Sequence, residues 1–161
     1  MKPKKFLFFP IAALALLAWS LPVWAPVPKL AIVVSAASPL QNIAMKDLKD
    51  AFLLEVLEVP GTSARLKFFA MPDQSPAHKI ALSAIYKMSA ADLKRLWLKK
   101  VFQNTIVSEP SSVSGSAELG QMLARETGGI GYCLDSEIPA GVRAVKVDGK
   151  STEDAEYPLA E

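Results

Sequence analysis

Residues 73–86 read DQSPAHKIALSAIY, residues 88–104 read MSAADLKRLWLKKVFQN, and residues 114–134 read SGSAELGQMLARETGGIGYCL. Each stretch opens on a small polar residue and then turns apolar at helical spacing. Ser75 is placed to cap a helix whose first position is Pro76, where a missing N–H costs nothing, and Ile80, Ala84 and Ile85 fall on one face. That helix is expected to end near Lys87. Ser89 caps a second helix with Asp92 at its third position, and Leu93, Leu96, Trp97 and Val101 recur at the spacing of a buried stripe. Trp97 and Phe102 are therefore expected in the core. Ser114 or Ser116 caps a third helix that carries Leu119, Met122 and Leu123 inward and stops at Gly128-Gly129. Residues 130–134 then read as a strand.

Working outward, residues 29–35 (KLAIVVS) form a continuous β-branched apolar run, the pattern of a strand covered on both faces. Residues 45–54 follow as a short amphipathic helix, with Leu48, Ala51 and Phe52 inward, Asn42 or Ala44 near its start and Asp47 in its first turn. Pro60-Gly61 marks a turn, residues 65–70 (RLKFFA) read as a strand, and Met71-Pro72-Asp73 as the loop after it. Residues 108–116 read as a polar linker and residues 142–147 as a last strand. Residues 150–161 are polar and acidic with little to bury, so a flexible acidic tail is expected there. Strands that alternate with helices imply an α/β fold, a three-layer sandwich around a central sheet.

The first 25 residues differ in kind from the rest. Lys2, Lys4 and Lys5 precede an apolar run from Phe6 to Ala18, and Val23-Trp24-Ala25 offers the small-x-small pattern cut by signal peptidase. Residues 1–25 are thus expected to be a signal peptide and the protein periplasmic. Pro26 disfavours cleavage at that point, and an apolar stretch of about 20 residues also has the length of an uncleaved inner-membrane anchor. Without these residues, 15 basic side chains face 16 acidic ones, so the basicity of the whole chain, +2 at neutral pH, belongs to its start. A nucleic-acid surface, which needs Lys and Arg clustered on one face, is not indicated. Lys94, Arg95, Lys99 and Lys100 read as the solvated side of a helix. Cys133 is the single cysteine; its apolar neighbours mark it as a buried thiol, and no internal disulfide can form. No nucleophile with a base, no paired carboxylates and no metal-ligand spacing are present, so neither an enzyme nor a cofactor is expected.

The same segments, in this order, resemble the second lobe of the phosphate-type periplasmic substrate-binding proteins of ABC transporters. Met45, Leu48, Ala51 and Phe52 match that family's helix after the first strand, LKRLWLKKVFQN is similar to its helix with a Trp before a Phe, and GGIGYC is similar to its strand entry. The resemblance runs from about Leu30 to Asp148 and implies a type II binding-protein lobe with a central mixed sheet, occupying residues 26–149. Full-length members clamp phosphate between two lobes, and this chain has the length of one.

The family's ligand segment is similar to R-x-D-x-S-G-T at a helix start, where N–H groups and hydroxyls cradle an oxyanion. The matching stretch is residues 71–77, so the resemblance implies a ligand set of Asp73, Ser75, Ala77 and the adjoining His78, with Lys79 beside it. Asp73 would accept the hydrogen of a protonated phosphate and Ser75 would donate to it. The chain departs from the pattern at Met71, which lacks the guanidinium, at Pro76, which lacks an N–H, and at Ala77, which lacks a hydroxyl. The plainer reading of Ser75 is a helix cap, of Asp73 a turn residue, and of His78 an exposed first-turn residue. Ser35 and Ser38 are weaker candidates, equally readable as turn-formers. Two functions follow: capture of phosphate or another small oxyanion without catalysis, or an envelope interaction module that kept the fold, lost the ligand site and docks on an envelope or transporter protein. A membrane contact is expected only through an uncleaved start.

Overall fold

The computed structural model describes residues 27–54, 58, 65–106 and 109–160. The expected signal or anchor, the Pro60-Gly61 turn and the first residue of the linker lie outside these. The elements are β1 (Leu30–Ser35), β2 (Asn42–Ile43), α1 (Met45–Phe52), β3 (Lys67–Ala70), α2 (Pro76–Ala81), α3 (Ala90–Phe102), β4 (Ser111–Ser112), α4 (Ser116–Arg125), β5 (Gly129–Leu134), β6 (Val142–Ala144) and β7 (Lys146–Val147).

The main sheet has the strand order β4–β3–β5–β1–β6, and β2 pairs with β7 in a separate two-stranded ladder. β3 runs parallel to both β4 and β5, with Phe69 opposite Ser111 on one side and Gly131 on the other. β1 runs antiparallel to β5 and β6, with Ile32 opposite Tyr132 and Val34 opposite Arg143. The sheet is therefore mixed. β1 is buried at all six residues, as its unbroken apolar run requires of a strand covered on both faces.

What covers the two faces is decided along β5. A Cβ on Gly131 would lie 2.6 Å from Leu119 Cδ1, and one on Gly129 would lie 2.8 Å from Leu123 Cδ2, so α4 packs against the glycine face. The alternate residues point the other way, where the Tyr132 ring lies 5.5 Å from Phe52 of α1 and 6.3 Å from His78 of α2. Helix, sheet and helix form the three expected layers.

Several local expectations are corrected. The helix from Ser75 does end at Lys87 as expected, in the left-handed region at φ 52°, but its last turn, Leu82–Tyr86, is π-helical. The linker contains the edge strand β4, two serines that hydrogen bonding rather than side-chain pattern recruits. The last strand is split: the Val145 N–H still reaches Ile32 O at 2.8 Å, while the Lys146 N–H turns to Gln41 O at 3.1 Å. Neither Ser114 nor Ser116 caps α4; Gly115 occupies the cap, and the Ser114 N–H and hydroxyl both donate to the Glu118 carboxylate, at 2.7 and 2.6 Å.

Two corrections concern burial. Trp97 is in the core, but Phe102 is 83% exposed. The acidic end, expected to have little to bury, is docked along the start of β1. Tyr157 and Leu159 are buried there, the Leu30 N–H donates to Leu159 O at 2.9 Å, and the Tyr157 hydroxyl donates to Leu30 O at 3.0 Å. Cys133 is buried as expected, its thiol pushed up to about 12 by burial and then by Glu137 and Asp135.

Candidate functional site

The carboxyl ends of the parallel strands β3 and β4 lie at one edge of the sheet, and each leads through a short loop into a helix. The Val113 N–H donates to Ala70 O at 3.0 Å, which holds the two loops side by side. The first, residues 71–75, closes as a turn with the Ser75 N–H on Pro72 O at 2.9 Å. Ser75 then caps α2: its backbone is extended, and its Oγ accepts the His78 N–H at 3.1 Å. The expected cap is therefore present. Because Oγ accepts from the backbone, the hydroxyl hydrogen points elsewhere and remains available as a donor.

His78 departs most from its sequence reading. It is 2% exposed rather than a solvated first-turn residue, and its Nδ1 lies 2.6 Å from the Tyr132 hydroxyl of β5. A neutral imidazole that carries its proton on Nε2 accepts the Tyr132 hydroxyl at Nδ1; the reverse tautomer donates to it. Nε2 in turn lies 3.8 Å from Asp73 Oδ1, whose side chain is 85% exposed. Burial pushes the imidazole below its usual range and Asp73 offsets part of this, so the ring is neutral near pH 7. Burial also raises the Tyr132 hydroxyl well above an ordinary phenol.

Asp73, Ser75 and His78 are thus brought together, while Ala77 faces the core at 1% exposure. The first turn offers few donors to an anion. Pro76 has no N–H, the His78 N–H is taken by Ser75, and Met71 is itself buried where the family's arginine would supply a cation. Ser35 and Ser38 lie at the opposite edge: β1 runs against β3 and β5, so its last residue sits at their amino ends.

Two features were beyond the sequence reading. Tyr132, the partner of His78, is 54 residues away along the chain and becomes adjacent only through the β3–β5 pairing. The Ser111–Ser116 segment was read as a linker, and its serines gained a place beside the site when β4 paired with β3. A separate cavity of about 300 Å³ at β2 and the start of α1 is lined by Leu40, Asn42, Ile43, Ala44, Asp47, Glu58 and Leu66. Its two carboxylates oppose anion entry. Among the described residues no cluster of metal-ligating side chains occurs, and no helix is long and apolar enough to cross a membrane.

Neither a protein-family model nor a curated protein matches this sequence. Solved structures do match. An ABC-type phosphate transport receptor from Vibrio cholerae aligns at TM-score 0.64 with 16% identity, over 83% of this chain and 53% of the receptor. The chain shares its α/β fold with about half of this receptor. PstS from Borrelia burgdorferi aligns at TM-score 0.63 with 13% identity, over 84% of this chain and 56% of PstS. A phosphate transporter substrate-binding protein with bound phosphate from Clostridium perfringens gives TM-score 0.59 and 20% identity, over 77% and 46%. This chain spans about half the length of these receptors.

Proposed function

We propose that this exported chain captures a small oxyanion of the phosphate class, without catalysis, at the edge formed by the loops after β3 and β4. The observation that carries this is the Asp73–Ser75 corner, a carboxylate acceptor beside an available hydroxyl donor at the carboxyl end of β3, on a fold shared with phosphate receptors. In α/β sheets, ligands bind outside the carboxyl ends of the strands. Asp73 favours an anion that still carries a hydrogen, because a carboxylate can only accept. Phosphate near pH 7 meets that requirement and sulfate does not.

The test is thermal unfolding of the purified protein with phosphate, sulfate or chloride at matched ionic strength. Phosphate at about 100 times its dissociation constant adds about 2.7 kcal/mol and raises Tm by several degrees. Ser75→Ala and Asp73→Asn are expected to remove that shift. No phosphate-selective shift in the parent protein rejects the proposal.

The sparse first turn supports a second reading, an envelope module that docks on a transporter or other envelope protein. Pro76, the occupied His78 N–H and the buried Met71 all subtract from anion binding without disturbing the fold. That reading predicts no response to any anion.

A further inference from the structure

Helix α3 is apolar on two sides. Leu93 and Trp97 face the core, with the Tyr86 ring 6.1 Å from Trp97 in an edge-on contact. At about 100° per residue, Ala91, Leu98 and Phe102 form a second stripe on the far side. Leu98 is 41% exposed and Phe102 83%, and these two are, with Val27, the large apolar side chains left exposed among the described residues. Lys94 flanks the stripe on one side, and Arg95 and Lys99 on the other. Arg95 is paired with Asp92 at 2.9 Å, which leaves the two lysines as the outward cations of this face.

From this arrangement we infer that α3 seats on an anionic phospholipid surface, with Phe102 and Leu98 in the interfacial region and Lys94 and Lys99 on headgroup phosphates. Charge complementarity and size select this occupant. A narrow apolar stripe bordered by lysines is the composition of a helix lying in a headgroup layer. A stable protein interface needs about 800 Å² per partner, far more than two side chains offer. A second copy joined through the same patch would bring the lysines of both chains together, and like charges across an interface repel. The inference is independent of anion capture, because α3 shares no residue with the Asp73–Ser75 corner.

The experiment places a reporter on the helix itself. Gln103→Cys in the full chain puts a reactive thiol beside Phe102, while Cys133 is fully buried, so an environment-sensitive fluorophore attaches at position 103. The residues at the start of the chain can hold it to any bilayer, but this probe reads only whether α3 touches lipid. Vesicles of phosphatidylglycerol and phosphatidylcholine are expected to give blue-shifted, brighter emission, and phosphatidylcholine alone to give little. Each lysine contributes about 1 kcal/mol near such a surface, so Lys94→Gln with Lys99→Gln lowers the docking equilibrium about 25-fold. Phe102→Ser, at an exposed position that leaves folding intact by circular dichroism, lowers it about tenfold. Aqueous-like emission on anionic vesicles overturns the inference, as does an equal response on neutral vesicles. A response without vesicles that grows with protein concentration overturns it in favour of a second copy.

Discussion

Strand β5 carries Gly129 and Gly131 toward α4 and Ile130 and Tyr132 toward α1 and α2, and the two faces are closed by opposite means. Under α4 the absence of side chains lets the helix approach, so that Leu119 and Leu123 fill the space where a Cβ would stand. On the other face, Tyr132 fills the volume with its ring and joins a stack in which Phe52 and Phe68 lie 4.2 Å apart. Its hydroxyl adds the polar link to His78. The glycine face tolerates no added atom, while the aromatic face tolerates no lost polar contact. The GGIGY segment therefore contributes close packing on one side and site geometry on the other.

The largest break of this comparison is expected on the glycine face. Gly129→Ala places a methyl 2.9 Å from the backbone oxygen of Glu126, which already accepts the Gly129 N–H and cannot yield as a side chain can. Overpacking of this kind costs about 1–3 kcal/mol, and the rigid contact puts this case in the upper part of the range. Urea unfolding gives the value, and an unchanged midpoint would remove close packing as the reason for the glycine.

A pair of tyrosines sharpens the polar side. Tyr132→Phe leaves His78 Nδ1 without its buried partner and is expected to cost about 1 kcal/mol or more. Tyr86 is also buried, but among the described residues its hydroxyl has no hydrogen-bond partner. Tyr86→Phe should be nearly neutral or slightly stabilising by the same measurement. Equal costs for the two would refute the polar link.

The smallest expected effect is a pH dependence. Folding lowers the His78 pKa, so below its ordinary value of 6.5 the unfolded chain takes up a proton that the folded chain refuses. Stability from this group is thus constant above that pH and falls as the pH drops below it. His78 is the sole histidine in the sequence, so it dominates between pH 7.5 and 5.5, above the titration of ordinary carboxylates. Tm measured across that window should decline in the parent protein and stay flat in His78→Gln.

The elements were legible wherever periodicity or a cap announced them. The β1 run, the Ser75 and Ser89 caps and the Leu119/Leu123 stripe are all present, because each is a local device whose parts lie within a few residues. The site was legible only in part. The Ser75 cap was legible from its place before Pro76 and Asp73 entered only through the resemblance, but His78 read as exposed because nothing near it in sequence provides the aromatic wall that buries it. Phe102 was read inward on apolarity alone, although its place on the far side of α3 follows from counting turns.

Composition and spacing by themselves determined an α/β chain with a distinct apolar start, a capped helix after β3 and a single buried thiol. These depend on contacts between near neighbours. Only the tertiary structure decided that β4 pairs with β3, that Tyr132 locks His78, that Tyr157 and Leu159 dock the acidic end, and that α3 keeps a second apolar face outside. Each of these joins residues far apart along the chain, and the free energy that selects such a pairing lies in the shape and polarity of the partner surface, which local sequence does not encode.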